Sequence, residues 1–302
     1  MIIGAIDIGT NSTRYLIVEG NHRGIQCILK RGGKITRLGK GIGTRQSPIE
    51  SPMENTYKYL TEIKTIIDQY KPEHIQIVST SIAREGLHHH TFFKQIEQLF
   101  GSPLQIISGE EEARLAFLGA KDCIQQNKAN LVIDIGGGST EFIFSHADTL
   151  KQCYSLPIGC VRCTEQYLPS DPPTNEEQSK LLDIVEEIIR SVIIPLPKVE
   201  HLIGTAGTIT TLGAIHLALE TYQPDLIHKS EIQYTDVVRI HELLSECSLN
   251  ERKSIKGLEA QRADIINAGV LILLSIMKIF SCHGLTISDH GLLFGLAERT
   301  LL

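Results

Sequence analysis

The sequence has no stretch that reads as a membrane span, no secretory leader, no disulfide framework and no surplus of basic charge. Its most apolar run, Ala268 to Met277, is too short to cross a bilayer and reads as a core helix. The chain starts directly on a strand pattern, without the charged and apolar segments of a secretory signal. Seven cysteines, an odd number scattered over 302 residues, fit reduced thiols. Cys160 and Cys163 form a single C-x-x-C with no second pair and no His cluster nearby, so small buried hydrophobes explain them better than zinc. A formal net charge of −6 argues against a general nucleic-acid coat, and a polyanion would need a local basic patch. Together these absences predict a cytoplasmic globular protein that binds neither nucleic acid nor membrane.

What is present centres on residues 131–144, LVIDIGGGSTEFIF. An apolar strand leads to Asp134, then to a turn of Gly136, Gly137 and Gly138 closed by Ser139, Thr140 and Glu141, then to a second apolar run. Glycine accepts positive φ and lets backbone N–H groups approach a ligand, and a nest of such donors suits phosphate oxygens. Residues 5–18, AIDIGTNSTRYLIV, echo this stretch at an offset of 134 − 7 = 127 residues. Asp7 aligns with Asp134, Gly9 with Gly136, Ser12 with Ser139 and Thr13 with Thr140. Two such turns predict two copies of one hairpin. The length predicts two domains, each with its own core.

Along the chain, residues 2–9 and 14–19 predict the first hairpin and 23–30 a further strand. Residues 30–45 carry Lys30, Arg31, Lys34, Arg37, Lys40 and Arg45 without an acid. Alone, such a run is a solvated loop and hairpin; beside phosphate turns it also reads as a landing strip for a polyanionic chain. Ser51-Pro52-Met53-Glu54 predicts a capping box opening a helix over 52–70. Arg84 follows a short strand, Ile75 to Ser79, at the strand end where α/β folds place ligands, although pairing with Glu85 is the plainer alternative. His88, His89 and His90 are adjacent and cannot share one face, which weakens a metal reading. A strand over Leu104 to Ser108 turns at Gly109 into a helix starting with Glu110, Glu111 and Glu112, acids that complement the helix dipole without singling out one of the three.

In the second half, Thr174-x-x-Glu177 predicts the cap of a helix running to about Ile194 and ended by Pro195. Leu202 and Ile203 lead into a third glycine turn, Gly204 to Thr208, with Gly207 and Thr208 as candidate contacts. Arg262 is expected at a helix start, and residues 287–302 read as strand then helix.

Seven blocks together, AIDIGTNST (5–13), SIAREG (81–86), ISGEEEARLAFLGA (107–120), VIDIGGGSTEF (132–142), LPIGCVR (156–162), GTAGTITTLGA (204–214) and QRADIINAG (261–269), resemble the exopolyphosphatase / guanosine pentaphosphate phosphohydrolase family of the actin–Hsp70–sugar kinase superfamily. The resemblance implies an α/β fold of two similar actin-like (ribonuclease H-like) domains, each a mixed β-sheet flanked by helices, with a cleft between them. It implies domains at 1–121 plus 290–302 and at 122–289. By resemblance, Glu112 is the catalytic residue that orients and deprotonates the attacking water. Gly9, Thr10, Asn11, Ser12, Arg84, Gly136, Gly137, Gly138, Ser139, Thr140, Gly207, Thr208 and Arg262 are the expected phosphate contacts. Asp134 and Glu141, with Asp7, are the expected ligands of Mg2+, other divalent cations or K+ being alternatives, and a homodimer is implied. The chain departs from the family pattern at His88, where asparagine is common, and at His290 and Leu293, which replace arginines.

The expected activity is Mg2+-dependent removal of terminal phosphate from inorganic polyphosphate. The alternative is the 5′-phosphate of guanosine pentaphosphate, with the chain's end at 302, short of the helical domains of longer relatives, tilting toward polyphosphate. An ATP phosphotransferase and a non-catalytic sensor of polyphosphate or alarmone are the readings from other classes.

Overall fold

Branched aliphatic residues alternate along Ile2–Ile8 (β1), and both faces of the strand are buried. Ile6 and Ile8 point to one core, Ile3 and Ala5 to another, as the two-residue period of a strand requires. The structure, a computed structural model, describes residues 1–41, 50–85 and 90–302. β1 pairs antiparallel with Ser12–Asn21 (β2), which pairs with Gly24–Ile35 (β3). On its other side β1 pairs parallel with His74–Ser79 (β4), followed by Leu104–Ile106 (β5), giving the order β3-β2-β1-β4-β5. Glu50–Tyr70 (α1) and His90–Phe100 (α3) cover the Ile6 face, with the short Ser81–Glu85 (α2) between β4 and α3. Gly109–Gly119 (α4) and the C-terminal helix Leu292–Leu301 cover the Ile3 face through Leu115, Leu296 and Leu301. That last contact needs glycine: a Cβ on Gly295 would lie 1.8 Å from the Leu115 carbonyl oxygen.

The first compact unit is therefore Met1–Gly119 with Gly291–Leu302, and the second is Ala120–His290. The second repeats the pattern. Ala129–Ile135 (β6), Thr140–His146 (β7) and Thr149–Leu156 (β8) form an antiparallel meander. His201–Thr205 (β9) pairs in parallel with β6, Gly284–Ile287 (β11) in parallel with β9, and Glu231–Gln233 (β10) closes the edge, in the order β10-β11-β9-β6-β7-β8. Its helices are Cys160–Tyr167 (α5), Asn175–Val192 (α6), Ala206–His216 (α7), Pro224–Ile227 (α8), Tyr234–Glu246 (α9), Leu249–Arg252 (α10) and Ile266–Ile279 (α11), the C-terminal helix being α12. The apolar run at 268–277 lies inside α11 and is buried on all sides, a core helix. No helix among the described residues is long and apolar enough to cross a membrane.

Several elements differ from the sequence expectation. β3 runs on past the expected end to Ile35, so Arg31 and Lys34 also stand on the strand; the long β2 supplies pairing partners through two register shifts. α1 already includes Glu50 and Ser51, which puts Ser51 inside the helix rather than at its cap. The capping box at Thr174 is present, with Thr174 Oγ1 accepting from the Glu177 N–H and Glu177 reaching back to the Thr174 N–H. Arg262 lies in a short 3-10 turn, Ala260–Arg262, and α11 begins only at Ile266. Arg45, His88 and His89 lie outside the described residues.

Candidate active site

The two hairpins have one backbone plan. Gly9 donates its N–H to the Ser12 carbonyl at 3.0 Å, and Gly136 donates to the Ser139 carbonyl at 3.0 Å. A Cβ on either glycine would lie 3.1 Å from that carbonyl oxygen, a tight approach in both copies. Among the described residues the positive-φ glycines are Gly24, Gly41, Gly101 and Gly257, so Gly9 and Gly136 serve close approach and not a left-handed turn. Behind the second turn the start of α5 clamps the backbone: Cys160 N–H donates to Gly136 O at 2.9 Å and Val161 N–H to Gly137 O at 2.9 Å. Gly159 makes this possible, since a Cβ there would meet the Gly137 oxygen at 2.5 Å. Arg162 Nε adds a bond to Gly138 O at 2.9 Å. Behind the first turn, Thr36 and Arg37 donate to Asn11 O and Gly39 to Thr10 O. Thr10, Asn11 and Ser12 are all buried, and Asn11 Nδ2 is buried with no hydrogen-bond partner among the described residues.

The side chains opposite the two aspartates differ. Asp7 faces Arg14 across the β1–β2 ladder, with the guanidinium 4.0 Å away. Asp134 faces Glu141 across β6–β7. Glu141 is fully buried, and its Oε1 accepts from Ser139 Oγ at 2.8 Å and Ser155 Oγ at 2.7 Å. Thr140 Oγ1 donates to the Ile158 carbonyl. The hydroxyls of Ser139 and Thr140, both expected as phosphate contacts, donate to Glu141 and to the Ile158 carbonyl. Two buried acids in register repel unless a cation or a shared proton joins them. Asp134 and Glu141 therefore fit a hard divalent ion, which takes carboxylates together with water and phosphate oxygens.

The three glutamates at the start of α4 are sorted by their surroundings. Glu110 is exposed and paired with Arg114 at 2.7 Å, and Glu111 pairs with Arg299 on α12. Glu112 is buried, and its Oε2 accepts from Arg84 Nη1 at 2.9 Å. The same nitrogen donates to Ile107 O at 2.9 Å. Arg84, expected as a phosphate clamp or a partner of Glu85, therefore meets Glu112. Spacing alone did not connect residues 28 positions apart.

The junction at Gly204 to Thr208 is tighter than a loop. β9 ends at Thr205, α7 starts at Ala206, and the positive φ falls on Ala206. Gly207 is helical, and the Arg262 guanidinium packs against it: a Cβ would meet Nη1 at 2.3 Å. Arg262 also pairs with Glu259 at 3.1 Å, so Gly207 and Arg262 come together although the helix expected at Arg262 starts four residues later. Sequence reasoning gave no role to Arg14, Ser155, Gly159 or Arg162. For the last two the signal was available in the LPIGCVR block.

A model of the Ppx/GppA phosphatase family matches residues 15–302. A Mycobacterium tuberculosis protein named Exopolyphosphatase 2 is 32% identical over 310 residues, spanning 98% of this chain and 97% of its own. A crystal structure of the Aquifex aeolicus Ppx/GppA family member superposes with a TM-score of 0.84 at 30% identity, covering 100% of this chain and 97% of that one. An exopolyphosphatase structure from Cytophaga hutchinsonii gives a TM-score of 0.91 at 25% identity, covering 100% and 98%.

Proposed function

The chain belongs to the Ppx/GppA phosphatase family, two mixed α/β actin-like domains with hydrolase chemistry, and from that premise we propose that it is an exopolyphosphatase releasing orthophosphate from the ends of inorganic polyphosphate. The observation that carries the reading is the singular setting of Glu112, the one buried member of three consecutive glutamates. In this reading Glu112 takes a proton from the attacking water. Arg84, tied to Ile107 O, fixes the carboxylate that does so. Phosphoryl transfer asks mainly for positioning and charge neutralisation. In the first unit the buried Asn11 amide and the turn's backbone are the donors for phosphate oxygens. In the second, the backbone of 136–138 plays that part, with Gly207, Thr208 and Arg262 as a further anion-binding group. Mg2+, held by Asp134 and Glu141, would neutralise charge on the phosphate; Asp7 is the weaker ligand because Arg14 stands opposite it. The protein is proposed to work in the cytoplasm as a homodimer.

The test is phosphate release by purified protein with Mg2+ from long-chain polyphosphate, guanosine pentaphosphate and ATP. Polyphosphate is expected to be fastest, and Glu112→Gln to lower the rate by about 10²–10⁴ with folding intact. Preference for guanosine pentaphosphate would keep the chemistry and replace the substrate. Release unaffected by Glu112→Gln would remove the assigned base.

A further inference from the structure

Outside the two turns, the second unit brings together a carboxylate, a thiol and two imidazoles that the activity does not use. Asp122 Oδ1 lies 3.8 Å from Cys123 Sγ, and Asp122 Oδ2 lies 2.9 Å from His228 Nε2. One donor atom from each of the three residues falls within 4.8 Å of the others. Neighbouring ligands of a tetrahedral zinc ion stand about 3.3–3.8 Å apart, as bond lengths near 2.0 Å for N and O and 2.3 Å for S dictate. The His290 ring stacks on His228 at 4.0 Å, and its Nδ1 is 3.8 Å from Asp122 Oδ2. We propose that Asp122, Cys123 and His228 form a binding site for a borderline-soft divalent ion of the zinc class, with His290 or a water as fourth ligand.

The donor set selects the ion. A thiolate and imidazoles prefer Zn2+ or Co2+ over Mg2+, so this site is separate in kind from the acid pair at Asp134 and Glu141. Access is open on one side, since Asp122 is exposed and His228 half-buried while Cys123 is buried. Lys229 Nζ sits 2.9 Å from Asp122 Oδ2, so an ion would displace that ammonium. The Cys123 proton leaves to solvent as the sulfur binds, and the His228 ring binds with its proton on the other nitrogen. That shift breaks a bond from the Asp289 N–H to His228 Nδ1, which at 3.3 Å is a long one. An ion there would tie residues 122–123 to the segment after α8.

The experiment is a Co2+ titration of the chelator-treated full chain, followed by its visible and near-ultraviolet spectrum. The expected result is about one tetrahedral equivalent with a thiolate-to-Co2+ charge-transfer band, displaced by Zn2+ and indifferent to excess Mg2+. Cys123→Ser should remove the band and leave the chelator-treated Tm in place. His228→Gln should weaken Co2+ binding roughly tenfold or more. Zn2+ should raise the Tm of the wild type and not of the two variants. No thiolate band in the wild type, a band that survives Cys123→Ser, or displacement by Mg2+ would each overturn the site.

Discussion

Gly9 and Gly136 close their turns through the same 3.0 Å bond to a serine carbonyl, yet the partner facing each aspartate has opposite charge: Arg14 for Asp7, Glu141 for Asp134. In the first hairpin a guanidinium stands 4.0 Å from the carboxylate, and the Asn11 amide nitrogen is buried with no hydrogen-bond partner among the described residues. In the second, two buried acids face each other and two serine hydroxyls are aimed at one of them. A duplicated backbone has thus been given two electrostatic tasks. Under the proposed function, the first would meet phosphate directly and the second through a metal ion.

Exchanging the charges tests that division most severely. Glu141→Gln keeps an acceptor for Ser139 and Ser155 but removes one of the two negative charges. Phosphate release is expected to fall by about 10² or more, with a higher Mg2+ concentration needed for half-maximal rate. Arg14→Gln, at a side chain 37% exposed, should cost about tenfold or less and leave the Mg2+ dependence in place. Equal losses with equal shifts in Mg2+ dependence would mean that the two turns do the same work.

The supports behind the turns differ as well. A Cβ on Gly159 would strike the backbone of Gly137 and Gly138 at 2.5–2.6 Å, and neither chain segment can rotate away. A Cβ on Gly39 would meet a methyl of Thr10 at 2.2 Å, and that side chain can turn. Gly159→Ala is therefore expected to cost about 1–3 kcal/mol, and Gly39→Ala less. Thermal unfolding would read this as a Tm several degrees lower for Gly159→Ala. A larger drop for Gly39→Ala would reverse the order of rigidity assigned to the two turns.

The duplication was legible in the sequence because both its parts are local: an apolar strand, an Asp and a glycine at one offset. The Thr174 cap and the α11 core run were legible for the same reason, each being a pattern within one element. What stayed hidden was pairing over distance. Arg84 with Glu112, Glu111 with Arg299 and Glu141 with Ser155 join residues 28, 188 and 14 positions apart, and no periodicity carries such a pair. β3 was read short because its basic half resembles a solvated loop, whereas β2 offers it backbone partners regardless of side chain. The third glycine turn hid a pairing for a related reason. Gly207 lies against the Arg262 guanidinium, a tertiary contact that no pattern within the turn reveals.

Alkaline titration gives the mildest contrast between the halves. Burial raises the Cys163 thiol from an ordinary 9.0 to about 12 and Cys282 to about 11, and both belong to the second unit. In the first unit burial raises Tyr59 from 10.0 to about 12, and Tyr15 moves in the same direction. Each group holds its proton in the folded state at a pH where the unfolded chain has released it. Its contribution is therefore present in full below the unfolded value and is lost as pH rises through the window to the folded one. The thiol window opens near pH 9 and the tyrosine window near pH 10, so the second unit should weaken first. Hydrogen exchange as a function of pH would resolve the two, through amides of α5 and α11 in the second unit and of β1 and α1 in the first. Protection lost first in α5 and α11 between pH 9 and 10 is the expected outcome. Earlier loss in β1 and α1 would place the more alkali-sensitive core in the first unit.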